Sequence, residues 1–407
     1  MKEYFSVYEN GEGITFSFKD NIVVKEMEST ASSKILKGYK PLFDATVVKK
    51  VKDAGYHISG KTVQDEFGFG SFCTNTEKIP KNPLFPDRVT GGSSGGAAGA
   101  AKTIKNHIAI AESTGGSIAN PAAFCNVIGL TPTYGLVSRY GLIDYANSLD
   151  KIGVISSNLD LVRLGLKIIA GYDDKDSTSV KTDIPDYTKK EKLKPVLGIP
   201  KSYVETASPE IKKDFENLIN SLKDKAVIKE IDLHLNKKYS ISTYYIIAMA
   251  EASTNLAKYT GLRYGLTKDL EGDFESFASS IRGSSFGEET KRRIMLGTFT
   301  RMAGYRDQYY DKALRVRQLL IDEYKEILKD VDAIIHPTMP IPPPKFDEVK
   351  DLSPLDVYNM DLLTVGANLA GLPHLSMPLK SKLPSGFMLT TDHFEEKKLL
   401  DIGDLFE

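Results

Sequence analysis

Cysteine and histidine are scarce in this sequence, net charge is almost absent, and no apolar run is long. Cys73 and Cys125 are the two cysteines in 407 residues, too few and too separated for a disulfide framework or a zinc site. Both are expected as small buried hydrophobes. Lysine plus arginine (53) nearly cancels aspartate plus glutamate (54), leaving a net charge of −1. Such a balance carries no electrostatic footprint for a phosphate backbone, so any nucleic acid is expected to be handled mainly by a partner. No segment approaches the roughly 20 apolar residues that span a membrane. The first residues, MKEYFSVYEN, lack the apolar core of a secretion signal, and a cytoplasmic location is expected. None of the 6 histidines stands in a triad-like context, so a nucleophilic serine would need another base.

What is present is an ordinary globular composition, 41% hydrophobic and 26% charged, with ample material for a core. Neither an internal repeat nor a low-complexity tract interrupts it. One stretch stands out. From Gly91 to Leu142 the chain holds two glycine-flanked serine turns, Gly91-Gly92-Ser93-Ser94-Gly95-Gly96 and Thr114-Gly115-Gly116-Ser117. Glycine on both sides of a serine permits positive φ and leaves the hydroxyl unshielded. Between the turns the spacing predicts a small-residue helix over Gly95 to Ile104 and an apolar strand over His107 to Ala111. The second turn then sits at a strand end before another helix, where consecutive N–H groups point into one concavity suited to a developing oxyanion. Ser117 reads as a nucleophile, with the amides of Thr114, Gly115, Gly116 and Ser117 as its oxyanion hole. A phosphate-cradling loop is disfavoured, because Lys102-Thr103 follows Ala101 where that motif requires glycine.

Along the rest of the chain strands and helices alternate, which implies a sheet covered by helices. The pattern predicts a strand over Ile14 to Lys19, a helix over Asp44 to Asp53, a strand over His57 to Lys61 and a helix over Asn158 to Ala170. Gln64-Asp65-Glu66-Phe67-Gly68 reads as a solvated turn. The polar stretch from Asp173 to Lys194 reads as an exposed linker, its lysines 189, 190, 192 and 194 solvated. A strand over Pro195 to Ile199 and a helix from Pro209 to about Lys223 follow. The second half is more helical. It has a helix over Ile241 to Tyr259 and one long periodic run from Glu288 to about Leu328, in which Ile294, Met302, Tyr305, Tyr309, Val316 and Leu320 are expected mostly as core. Val331 to His336 reads as a strand, Pro354 to Leu369 as a helix, and a short strand and a last helix near Glu395 close the chain. The expected fold is an α/β/α sandwich with a mixed central sheet. One domain is expected over 1–407, with a signature core at about 61–155 and a more helical pocket part at about 195–375.

The serine-rich stretch resembles the amidase signature family, whose motif runs GGSSGG, a spacer, DTGGSIR and a PAAFCG-like segment. The resemblance implies a Ser-Ser-Lys triad: Ser117 forms the acyl-enzyme, Ser93 bridges, held by a cis peptide, and a lysine lies upstream. Lys19, at the end of the first predicted strand within Lys19-Asp20-Asn21, matches the family's KDN motif. A neutral Lys19 would take the Ser117 proton through Ser93, and desolvation is one means of keeping a lysine neutral. Other segments, among them Thr133 to Leu142, Asn147 to Asp150, Tyr244-Tyr245 with Glu251 to Ser253, Lys291 to Thr298 and Tyr358 to Pro373, resemble the A subunits of glutamyl-tRNA(Gln) amidotransferases.

That closer resemblance implies a glutaminase subunit of a heterotrimer with B and C subunits. L-glutamine would be hydrolysed here, and its ammonia would convert Glu-tRNA(Gln), or Asp-tRNA(Asn), in a partner that holds ATP and Mg2+; no cofactor or metal is expected in this chain. By matching motifs Arg293 would bind the glutamine carboxylate, which suits a bidentate guanidinium, with Asp361 on the ammonium and Tyr244 in support. Two departures stand beside the nucleophile. Ser113 and Ala119 occupy the places of the motif's aspartate and arginine, which leaves open whether Glu112 takes over the bracing of the loop. Lys19 also comes early, and the tail after Pro378 is short. A free-standing amidase for another small amide, or a non-catalytic scaffold subunit, are the competing readings.

Overall fold

The computed structural model describes residues 2–222, 224–269 and 272–407. Its frame is an 11-stranded sheet. In chain order the strands are β1 (Phe5–Tyr8), β2 (Thr15–Lys19), β3 (His57–Thr62), β4 (His107–Ser113), β5 (Ile128–Thr131), β6 (Lys151–Ser156), β7 (Val196–Pro200), β8 (Val227–Ile231), β9 (Ala333–Pro337), β10 (His374–Pro378) and β11 (Gly386–Thr390). In space they run β1-β3-β2-β4-β6-β5-β10-β11-β9-β7-β8. The sheet is mixed, as expected: β2 lies parallel to β3 and β4, and β7 to β8 and β9, while β6, β5, β10 and β11 pair antiparallel.

Alternation along β4 sorts the two faces. Ala109 and Ala111 pack with Ala97, Ala98 and Ala101 of the helix Gly95–Thr103, and small residues on both sides let that helix lie close to the sheet. Ile108 and Ile110 point the other way, into the large core with Leu159, Val162 and Leu166 of the helix Leu159–Ile169. Successive side chains of a strand face opposite sides, so one short segment serves two layers. On β2 the same rule separates buried Phe16 and Phe18 from Thr15, Ser17 and Lys19. Thr15 and Ser17 each bond the buried His107 ring at 2.8 Å, and Lys19 is left at the strand end for other partners.

Register carries the functional consequence. Because β2 and β4 are parallel with Phe18 opposite Ile110, both strands end at the same edge of the sheet. Antiparallel β6 begins there, with Lys151 opposite Ser113. Lys19, the turn after Ser113 and the residues before Lys151 therefore meet, although the sequence separates them widely.

Several expectations are corrected. The run from Glu288 is two helices, Glu288–Arg301 and Tyr310–Ile327, parted by turns containing Gly304 at φ 84°, a value that L-residues seldom adopt. Met302, Tyr305 and Tyr309 lie in and beside that break and are exposed, whereas Leu320 is core. The segment from Pro354 also splits, into Pro354–Asn359 and Val365–Leu369. Gln64, Asp65 and Glu66 are buried, not solvated: Asp65 accepts the amides of Cys73 at 2.9 Å and Asn75 at 2.8 Å, and Glu66 accepts the amide of Gly287 at 2.8 Å. These bonds replace the water that a carboxylate otherwise needs.

The stretch 173–194 has no helix or strand, and its four named lysines are exposed, yet it is anchored. Arg163, fully buried, donates to Tyr187 O at 2.7 Å and to the carboxylates of Asp401 and Asp404 at 3.0 and 2.7 Å. One guanidinium thus ties the helix Leu159–Ile169 to this stretch and to the last helix, Glu396–Gly403. The predicted helix from Pro209 ends at Asn220, and Lys223 lies outside the described residues. Both cysteines are free and buried. Among the described residues no helix is long and apolar enough to cross a membrane.

Candidate active site

At the shared ends of β2 and β4 the Lys19 ammonium is fully buried and saturated. It donates to Ser93 Oγ at 2.7 Å, to the backbone oxygen of Glu112 at 2.9 Å and to Glu112 Oε2 at 2.8 Å. Three N–H groups meet three acceptors, which is what burial of a charged amine demands. The Gly92–Ser93 peptide bond is cis. Ser94 Oγ bonds the same Glu112 backbone oxygen at 3.1 Å, fixing the first serine turn to β4.

Glu112 gathers the polar groups here. Its Oε2 also accepts Asn21 Nδ2 at 3.0 Å, and its Oε1 lies 2.7 Å from Thr114 Oγ1. The same Thr114 hydroxyl is 2.8 Å from Asp150 Oδ1. Asp150 accepts the amides of Tyr145 and Ala146. Burial, with Glu112 as its acidic neighbour, pushes the Asp150 carboxyl well above the usual carboxylate range. Glu112 therefore does brace the loop, by holding both Lys19 and Thr114.

The second serine turn follows at once. Among the described residues the amides of Gly115, Gly116 and Ser117 donate to no backbone carbonyl, as an anion-binding turn requires. Asn368 Nδ2 holds the turn from behind, bonding Thr114 O and, at 3.0 Å, Leu149 O. The two glycines are also sterically required: a Cβ on Gly115 would fall 2.9 Å from Tyr244 Oη, and one on Gly116 would collide with Thr364 Oγ1. Ser117 is nearly buried, 8% exposed. Its hydroxyl bonds neither Ser93 nor Lys19 in this structure, so Lys19 and Ser93 are in contact while Ser117 stands apart from them.

The three expected pocket residues, Tyr244, Arg293 and Asp361, are all buried. Arg293, on the helix Glu288–Arg301, is buried, while Arg292 is partly exposed and pairs with Glu289; Arg293 is the one that faces inward. It donates to Tyr145 Oη at 2.6 Å and to Glu289 Oε1 at 2.8 Å, and its guanidinium stacks among the rings of Phe69, Tyr145, Tyr245 and Tyr358. Burial opposes its charge, but Tyr145 and Glu289 hold its pKa well above the ordinary value. Asp361 accepts Tyr245 Oη at 2.7 Å and lies 3.2 Å from Ser71 Oγ. Burial pushes the Asp361 carboxyl up to about 6, against the pull of Tyr245, Arg293 and Ser71. Asp361 thus takes its hydrogen bond from Tyr245, while the ring of Tyr244 covers Gly115. Both tyrosines lie on the helix His234–Asn255, where consecutive residues point about 100° apart, and the sequence offers no means of choosing between them. A cavity of about 330 Å³ opens beside this group, lined in part by Ser71, Glu289, Arg293 and Tyr358. Tyr145, Tyr358 and Glu289 carried no local signal, since their place at the pocket is set by tertiary contacts with Arg293.

This chain is thus a mixed sheet whose parallel strands β2 and β4 end on a buried lysine, a serine bonded to it and a second glycine-flanked serine turn, and it belongs to the amidase family: the Amidase family model matches residues 12–400. Within the family it is similar to proteins named as the A subunit of glutamyl-tRNA(Gln) amidotransferase. The one from Carboxydothermus hydrogenoformans is 44% identical over 404 residues, covering 97% of this chain and 83% of the relative. The one from Nitratiruptor sp. is 44% identical over 406 residues, covering 98% and 91%. The crystal structure of the same protein from Thermotoga maritima, 37% identical, superposes with a TM-score of 0.82 over 98% of this chain and 85% of that one.

Proposed function

We propose that this chain is the glutaminase subunit of a tRNA-dependent amidotransferase, releasing ammonia from L-glutamine for conversion of Glu-tRNA(Gln) to Gln-tRNA(Gln), and in some settings of Asp-tRNA(Asn) to Asn-tRNA(Asn). The observation that carries this reading is the pairing of a fixed buried cation, Arg293, with a fixed buried anion, Asp361, as a free α-amino acid requires. An amidase for simple amides needs neither. Ser117 Oγ attacks the γ-amide carbon as its proton passes to Ser93, whose own proton passes to Lys19. The amides of the turn from Thr114 to Ser117 receive the oxyanion. The relay then reverses to protonate departing ammonia, and water resolves the acyl-enzyme. B and C subunits complete the assembly, and ATP and Mg2+ belong to the partner that activates the tRNA-borne carboxylate.

The test is reconstitution. The chain is combined with its B and C subunits, ATP, Mg2+ and Glu-tRNA(Gln), and both ammonia and Gln-tRNA(Gln) are measured. Both products, from glutamine and not from propionamide, are expected. Hydrolysis of simple amides by the lone chain with no glutamine activity would instead identify a free-standing amidase.

Asp361 supplies a pH signature. Its carboxyl is pushed up to about 6 in the free protein, so the anion that holds the substrate ammonium is present above that pH and is lost as pH falls through it. The value of kcat/KM for glutamine is expected to drop about tenfold per unit below pH 6, mainly through KM. Asp361→Asn should abolish that limb while leaving a low, pH-indifferent rate there.

A further inference from the structure

The charged state of Lys19 poses a problem. All three of its N–H groups are used, one of them toward Ser93, and an ammonium that donates to the bridging serine cannot also accept its proton. Some group must first remove a proton from Lys19, which is fully buried. The only side-chain carboxylate touching the ammonium, among the described residues, is Glu112, at 2.8 Å with both groups buried.

We propose that Glu112 is a positioning residue that shares a proton with Lys19, so that the amine becomes neutral by transfer inside the pair and not by loss to solvent. This rests on the glutaminase reading above. In the transfer an N–H bond of Lys19 breaks and an O–H bond forms at Glu112 Oε2; the ion pair becomes a neutral amine beside a neutral acid, with no change in net charge. A turn about the Cε–Nζ bond then directs the lone pair at Ser93 Oγ, and the proton that leaves Ser117 arrives on Lys19 by way of Ser93. Protonation of ammonia runs the same steps backwards.

The surroundings favour Glu112 as the ionised member. Thr114 Oγ1 lies between two carboxyl groups, 2.7 Å from Glu112 and 2.8 Å from Asp150, yet a hydroxyl has one proton to give. One of the two acids must bring its own. Both are buried, but Asp150 is the one whose carboxyl burial and the neighbouring Glu112 push well above the usual carboxylate range, so it is the acid that donates to Thr114, and Thr114 donates to Glu112. Asn21 Nδ2 adds a further donor at 3.0 Å. The other ionisable groups facing this cluster are Asp65 from the turn after β3, which burial pushes up to about 7 and which feels Lys19 and Arg293, the Tyr145 ring near Glu112, and Arg139 acting on Asp150. Each of these is common to the proteins compared below, so its contribution cancels.

The experiment measures Ser117-dependent ammonia release from L-glutamine between pH 6 and 10, with partner subunits present, for the wild type, Glu112→Gln and Asp150→Asn. Glu112→Gln keeps shape and hydrogen bonding but cannot take a proton, so Lys19 must lose one to solvent. Relative to wild type its rate is expected to fall with falling pH, by up to tenfold per unit, a limb that the wild type lacks. Asp150→Asn mimics a neutral acid and should keep the wild-type profile shape. An identical profile shape for Glu112→Gln, or the same new limb in Asp150→Asn, overturns the proposal. Should Glu112→Gln not fold, the wild type alone decides. Above pH 8, where Asp65 is ionised, its rate should not climb, and a tenfold rise per unit toward pH 10 overturns the idea. Absence of any Ser117-dependent release would be a separate failure, that of the glutaminase reading itself.

Discussion

Alanine at Ser117 is expected to cut ammonia release from glutamine by at least about 10⁴-fold, the scale on which loss of a nucleophile acts when its helpers remain. Stability should hardly change. The Ser117 hydroxyl bonds neither Ser93 nor Lys19, so its removal breaks no bond to them, and the change leaves the Lys19 to Ser93 and Lys19 to Glu112 contacts in place. Steady-state ammonia assays beside thermal unfolding of both proteins check this. Undiminished release from a folded Ser117→Ala protein would mean that the second serine turn is not where the acyl group forms, and the scaffold reading would regain its footing if no variant released ammonia.

Lysine at Arg293 should lower kcat/KM for glutamine by about 10²-fold or more, largely through KM. A guanidinium offers a planar, bidentate face to a carboxylate, and an ammonium does not. Here the plane matters twice, because Phe69, Tyr145, Tyr245 and Tyr358 surround it and would pack poorly around a lysine tip. A neutral amide without an α-carboxylate makes no use of that face, and its slow hydrolysis should change less than about threefold, within the small effects expected away from bound groups. Equal losses on both substrates would show that the substitution had disturbed the whole site, and the carboxylate role would be withdrawn.

The parts of this site that the sequence revealed are those fixed by short-range spacing. The glycine-flanked turns around Ser93 and Ser117 need no distant partner to be recognised, and the alternation of Thr15 to Lys19 marks a strand whose end the lysine must occupy. Asn158 caps the helix Leu159–Ile169 through its own side chain, accepting the Leu161 amide at 2.9 Å, and that signal too is local. What stayed hidden depends on register. Nothing in the neighbourhood of Asp150 announces Thr114; only the antiparallel pairing of β4 with β6 brings them to 2.8 Å. Acidic residues such as Asp65 and Glu66 look solvated because an unpaired carboxylate is seldom buried, and the amides that compensate their burial come from the irregular loop at Cys73 and Asn75 and from distant Gly287, where no sequence pattern marks them. Helical periodicity likewise carries through Gly304 without a pause, although the backbone does not.

The strand order has a cost during synthesis. The outer neighbour of β5 is β10, which is made near the end of the chain, so the N-terminal half emerges with its sheet unfinished and a row of backbone groups facing outward. An open strand edge is a template for the wrong partner. The same halves meet again at the site, where Asn368 braces the loop that carries Ser117. A nascent chain therefore keeps that edge open until its last segments arrive, and the loop bearing Ser117 gains its Asn368 brace only from the same late segments.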